Sequence, residues 1–348
     1  MKIKTSIAAS LGLAFIATSP LAHADTVTDA VTHVRQGDLA GAVKLLEEAS
    51  AKGDVAAKAQ LASYLRAFPP PLRDAARGCV LAHEAADAGD PLAALTRVEC
   101  LITGAEKANE PFSLARQIAR KASAKDPSWG GLGLYETFLL DPKYSYRPDG
   151  KVDMNKYNAL AATPVAQRSE QTEALNGLAA AVTKGHEGAV RATLAYFTET
   201  AGPRNLDRTI RLAELMQGAK IMIPPQQEND LKLARTIKQM GGTQASLLIF
   251  KNAYGSAQQA AFFQLTGLGK NGCDGKDIKI VKTEAGAPVA DAVYLPLNQP
   301  LENSYLVQGS WTESWTFAGC GKTAVIQMTF NADGWGGATY RSNGVKPQ

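Results

Sequence analysis

From about residue 25 to residue 268, apolar residues recur with the period of a helix, and many of them are Ala. From residue 269 onward, β-branched and aromatic residues alternate with polar ones. The two regimes predict an α+β chain: an α-solenoid of helix–turn–helix repeats over 25–268, then a small, mostly antiparallel β domain over 269–348. The first 24 residues fit neither regime. Lys2 and Lys4 precede an apolar run from Ile7 to Thr18, and Ala22-His23-Ala24 supplies small residues ahead of Asp25. This is the pattern of a secretory signal peptide. The expected protein is therefore periplasmic or secreted, with cleavage between Ala24 and Asp25 and no transmembrane segment afterwards.

Within the helical regime a short motif returns: Ala49-Ser-Ala-Lys-Gly53-Asp54, Ala85-Ala-Asp-Ala-Gly89-Asp90 and Ala122-Ser-Ala-Lys-Asp126-Pro127. These copies lie about 36 residues apart, and a looser one, Ala181-Val-Thr-Lys-Gly185-His186, comes after an insertion. Gly in the left-handed region ends one helix, and the Asp or Pro after it starts the next. Ala57, Ala93 and Ala189 each stand four residues beyond their Gly, where a small side chain lets paired helices approach closely. The pattern resembles the Sel-one-like family of tetratricopeptide-type repeats over about 37–200. The likeness is clearest over 37–104, where Ala85-Ala86-x-x-Gly89 is nearest to the family's A-A-x-x-G turn. Leu45 and Leu81 stand where that family usually has Trp, and Pro69-Pro70-Pro71 replaces its glycine-rich loop. The resemblance implies a superhelical scaffold that binds proteins, not a catalyst.

After an irregular stretch at 141–153, a helix is expected from Thr163-Pro164 to about Lys184. Others are expected near 186–199, 204–219, 226–240, 243–254 and 257–266, with Ser256 capping the last. In the β domain, strands are expected at 277–282, 293–297, 305–308, 311–317, 324–330 and 338–341, with Asp333-Gly334 turning between the last two. A four-residue loop at 318–321 would pair Trp315 with Ala324 and Trp311 with Met328, keeping both apolar sets on one face. Trp311-x-Glu313-x-Trp315, Cys320-Gly321 and Asp333-Gly334-x-Gly336-Gly337 are similar to uncharacterised C-terminal β modules of secreted bacterial proteins. That likeness implies no function.

The formal net charge of +4 falls to about +2 once Lys2 and Lys4 are removed, so no electrostatic footprint for nucleic acid or an anionic membrane is expected. Four cysteines allow three pairings, and an oxidising compartment favours structural disulfides. Cys79 and Cys100 are equidistant from the Gly89 turn, so an antiparallel helix pair would oppose them; Cys273 and Cys320 would then staple the β domain.

No residue is assigned a catalytic role, and no metal or cofactor is expected. His83-Glu84-Ala-Ala-Asp87 lacks the second His of a zinc helix. Beyond the signal, the histidines are His33, His83 and His186, without a G-x-S-x-G, S-x-x-K, K-T-G or phosphate-loop motif. The candidate binding residues are Trp311, Glu313, Trp315 and Trp335, because aromatic rings around a carboxylate often line carbohydrate sites. Two plainer roles compete: Glu313 solvated at an edge or paired with Lys322, and Trp335 packed at the hairpin tip. The expected function is a non-enzymatic exported scaffold or adaptor holding a protein or peptide partner on the repeat surface. The alternatives are a glycan- or peptidoglycan-binding β domain and, third, a cell-envelope hydrolase.

Overall fold

A computed structural model describes residues 24–144, 153–266 and 275–344. The segment before Ala24, expected to be a signal peptide, and Cys273, expected to staple the β domain, lie outside the described residues. The chain is a series of helices followed by a C-terminal antiparallel sheet. It divides into two compact units. The first holds the described residues up to Tyr144 together with Glu173–Ala189; the second holds Asp153 to Thr172 and everything described from Val190 onward.

The first unit contains α1 (Ala24–Arg35), α2 (Leu39–Ala51), α3 (Val55–Ala67), α4 (Ala75–Asp87), α5 (Pro91–Ile102), α6 (Pro111–Lys125) and α7 (Pro127–Leu140). Its turns obey one local rule. At Gly53 (φ +90°) and Gly89 (φ +92°) the chain turns left-handed, and the next amide closes a six-residue loop, Asp54 to the Ala49 carbonyl and Asp90 to that of Ala85. The same Asp then caps the following helix, receiving Ala57 N–H (3.0 Å) or Ala93 N–H (2.9 Å). Gly37-Asp38 makes the same turn between α1 and α2, although its flanking residues lack the Ala pattern of the other copies. The third copy differs because Asp126 replaces Gly. Here the backbone stays extended (φ −142°), and Asp126 ends α6 and caps α7 at once.

These turns fold the helices into antiparallel pairs, α2 with α3, α4 with α5 and α6 with α7. The second helices also pack on one another, α3 on α5 and α5 on α7. Small residues fill the crossings: Ala57, Ala62, Ala82, Ala93 and Ala115 are fully buried. In α7, Gly130 and Gly131 replace side chains with backbone contact. A methyl group at Gly131 would lie 2.3 Å from the Gly177 carbonyl oxygen. Cys79 and Cys100 are bridged across α4 and α5, with Cα atoms 5.8 Å apart, in keeping with their symmetry about the Gly89-Asp90 turn.

The second unit contains α8 (Met154–Ala161), the start of α9 (Ser169–Thr183), most of α10 (Glu187–Glu199), α11 (Asn205–Gly218), α12 (Pro225–Met240) and α13 (Leu247–Thr266). Two expected helices, 243–254 and 257–266, are one. Ser256 is not a cap: it lies within α13 and bonds to the Ser342 hydroxyl (2.9 Å). The break signalled by Gly255-Ser256 is overridden because Phe250, Ala253, Ala257, Ala261 and Leu265 form an unbroken buried stripe. Conversely, the helix expected to begin at Thr163-Pro164 starts only at Ser169, after a short turn of 3-10 helix.

The sheet comprises β1 (Lys279–Ala285), β2 (Ala290–Tyr294), β3 (Leu306–Gly319), β4 (Lys322–Ala332) and β5 (Ala338–Gly344), in the order β1-β3-β4-β5, with β2 pairing the beginning of β3. The expected strands at 305–308 and 311–317 are the single strand β3. The expected register is off by two: Trp315 faces Ile326 and Trp311 faces Phe330. The reason is the turn. Cys320 (φ +55°) and Gly321 (φ +72°) are both left-handed, so the hairpin closes over two residues rather than four. An even shift leaves every side chain on its expected face. Cys320 is itself disulfide-bonded.

The boundary expected at residue 268 does not separate the helices from the sheet. Trp315, Phe317, Ile326, Met328 and Phe330 bury their side chains against Phe250, Ala253, Ala257 and Leu265 of α13 and against Ala234 and Ile237 of α12. The sheet needs these helices because one of its faces is almost wholly apolar.

Candidate functional site

The aromatic cluster is interior. Trp311 and Trp315 are 4% and 0% exposed, and the Glu313 carboxylate between them is 0% exposed. Trp311 stacks on Phe330 (centroids 5.0 Å), and Trp315 packs on Phe250 (4.5 Å). Glu313 is neither solvated nor paired with Lys322. Its oxygens receive the Trp311 and Trp315 indole N–H groups (3.1 and 2.9 Å), the Thr243 hydroxyl (2.7 Å), and the amides of Gln244 (2.7 Å) and Ala245 (3.3 Å). The carboxylate thus ties the loop between α12 and α13 to the sheet. Indole N–H only donates and a carboxylate only accepts, so W-x-E-x-W is a self-satisfying buried motif. These three residues offer a ligand no surface.

Trp335 is packed at the tip of the β4–β5 hairpin, under the Arg168 guanidinium at 5.7 Å. Arg168 is buried, and its N–H groups go to the carbonyls of Thr163 (2.8 Å), Ala161 (3.0 Å) and Gly334. Asp333 organises the same tip, receiving Trp335 N–H (2.8 Å) and Gly337 N–H (2.9 Å) on one oxygen and the Tyr157 hydroxyl (2.7 Å) on the other. The D-G-x-G-G segment is a docking plug within its own unit.

The histidines serve helix ends. His33 Nδ1 lies 2.8 Å from Asp38, the cap of α2. His83 lies within 3.3 Å of Asp87 and 3.2 Å of Glu106, and Arg97 binds both carboxylates; Glu84 pairs instead with Lys58 (2.9 Å). Among the described residues no group of three or more His, Cys, Asp or Glu is arranged to hold a metal ion. His186 Nδ1 accepts the Ala189 amide (3.3 Å) as the cap of α10, and its ring meets Trp129 edge-on at 4.4 Å. Burial lowers its pKa from 6.5 to about 4, with the nearby Asp126 opposing the shift. Between those values the unfolded chain binds a proton that the folded chain refuses. Stability is therefore complete above pH 6.5 and falls as the pH drops towards 4, by up to about 3 kcal/mol. Urea unfolding at pH 7, 5.5 and 4 is expected to show this loss in the native chain and not in His186→Asn, which caps without titrating. Parallel pH dependence in the two proteins would refute the assignment.

The second helices of the array carry a group of residues that no sequence motif marks. Arg66, in the last turn of α3, donates to the Glu99 carboxylate of α5 and to the Thr96 carbonyl (3.4 Å). Beside them on α7 stands Glu136. It is half-buried, but its carboxyl lies deep enough for burial to raise its pKa well above the usual value; the charge of Glu99 adds to the rise and Arg66 opposes it. Arg116, reaching α7 from α6, is engaged by Asp141 (2.9 Å). Three and four residues beyond Glu136, and hence on its side of the helix, Leu139 and Leu140 are 57% and 37% exposed. The sequence does hold a signal: polar residues near the ends of otherwise apolar repeat helices. Only the packing of α3, α5 and α7 brings those residues into one row.

Compared with protein-family models, with curated proteins and with solved structures, the chain matches none.

Proposed function

We propose that the protein is an exported, non-enzymatic scaffold whose helix-pair array, akin to Sel-one-like repeats, binds a protein or peptide partner. The observation that carries this reading is the stacking of the second helices α3, α5 and α7 into one row, at whose end Leu139 and Leu140 are exposed. Adjacent exposed apolar side chains gain by being covered by a partner. Export is supported by the signal-like first 24 residues and by the Cys79–Cys100 disulfide. No helix among the described residues is long and apolar enough to cross a membrane. The glycan-binding alternative loses its aromatic platform, since Trp311 and Trp315 are buried. Cross-linking of the protein in intact cells, with linked residues mapped by mass spectrometry, tests the reading. Links to partners are expected on α5 and α7; links confined to the sheet would overturn it.

A further inference from the structure

The sheet has two edges, and they differ. On the side of β1 and β2 the ladder is interrupted. β1 bulges at Val281, β2 shifts register twice, Asp291 is left-handed (φ +50°), and Lys279, Lys282 and Glu284 stand along the strand. Bulges and charges of this kind keep a sheet edge from pairing with another chain. β5, at the other edge, has no bulge and no Pro, and pairs with β4 over seven consecutive residues, Ala338 to Gly344. In an antiparallel ladder alternate residues of β5 bond to β4, while the others turn N–H and C=O outward. Among the described residues nothing bonds to those outward groups. We propose that the β5 edge takes up an extended segment of a partner protein as a further strand, with an Asp or Glu of that segment opposite Arg341. This site is separate from the helical array and does not depend on it.

A row of unpaired backbone groups is complementary to another extended backbone, which makes the occupant a strand. Its side chains are selected on one face only. The inner face of β5 is closed by α13: the Tyr340 hydroxyl donates to the Asn252 carbonyl (2.7 Å), and the Ser342 and Ser256 hydroxyls are 2.9 Å apart. On the outer face stand Thr339, Arg341 and Asn343. Arg341 is exposed and has no carboxylate partner among the described residues, and the outer-face residues beside it on β4, Gln327, Thr329 and Asn331, are uncharged. A carboxylate directly across an added strand would pair with it, and a cation there would be repelled. The same rule disfavours a second copy of this chain. An antiparallel register that joined all seven residues of two β5 strands would set Arg341 against Arg341. A segment lying along Thr339 to Asn343 also leaves Val325 uncovered, because that residue stands on β4 beyond the stretch that β5 pairs.

The probes are seven-residue peptides of alternating Thr and Val with Glu, Gln or Lys at the centre, titrated against the full chain by fluorescence anisotropy. The Glu peptide is expected to bind about three-fold more tightly than the Gln peptide, and the Lys peptide more weakly than either. Methylation of alternate backbone nitrogens, which removes the donors a strand must offer, is expected to abolish binding of the Glu peptide. Arg341→Glu is expected to reverse the order, so that the Lys peptide binds best. Hydrogen exchange of the full chain is expected to show the amides of 339–343 slowed by the Glu peptide. Equal binding of the Glu and Lys peptides, binding that survives methylation, or no binding by any of the three would each overturn the inference. So would a dimer of the chain, seen by sedimentation without peptide, that keeps the amides of 339–343 protected, since the edge would then belong to a second copy.

Discussion

Glu313→Gln is expected to destabilise the second unit by about 3 kcal/mol, and Glu313→Ala by more. The five groups around the carboxylate are the Thr243 hydroxyl, two backbone amides and two indoles, and only the hydroxyl can reverse to accept. An amide in place of the carboxylate brings its own two N–H groups into a ring of donors, so at least one buried donor loses its partner. Truncation to Ala strands the amides and indoles together and opens a cavity between two Trp rings. Because the site joins β3 to the loop ahead of α13, the loss should appear both as a lower urea midpoint and as red-shifted Trp emission. A change of under about 1 kcal/mol in Glu313→Gln would show that the network contributes little.

Gly130→Ala is expected to be of similar or greater severity, against the helix-propensity trend. A methyl group there would stand 2.0 Å from the Ser123 nitrogen and 2.4 Å from its Cα, both backbone atoms that cannot swing aside. Relief requires moving α6 off α7, at a cost of about 3 kcal/mol or more. The same substitution at Gly255 is the control. That glycine lies exposed inside α13 with nothing within 4 Å of the new methyl, so Gly255→Ala should stabilise by up to about 1 kcal/mol. Opposite signs for one chemical change, measured by thermal unfolding, would establish that Gly130 is there for helix approach. Two gains of equal size would remove that role.

The parts of this fold that are legible in the sequence are those determined locally. The Gly-Asp turns need only a left-handed residue and a side-chain cap, so Gly53-Asp54 and Gly89-Asp90 locate themselves, and with them the opposition of Cys79 to Cys100. Alternation in β3 and β4 assigns faces correctly, but alternation alone does not say whether a hairpin closes over two residues or four. Gly255-Ser256 reads locally as a break; the stripe from Phe250 to Leu265 that joins the two halves is visible only against the sheet. Glu313 stands out in the sequence, but its environment does not, since Thr243 and Gln244 arrive from about 70 residues away. The row from Arg66 to Glu136 draws on three repeats whose polar residues occupy slightly different places in each helix. It emerges only from the way the helices stack.

The most direct test of the scaffold account is the cross-linking experiment with the reactive group placed at single positions in the full chain. A photo-crosslinking amino acid in place of Leu139 reports on the α7 end of the array, and one in place of Val325, exposed on the outer face of the sheet, serves as control. A discrete adduct from position 139, and none from position 325, is the predicted result. Adducts from position 325 alone would contradict the account.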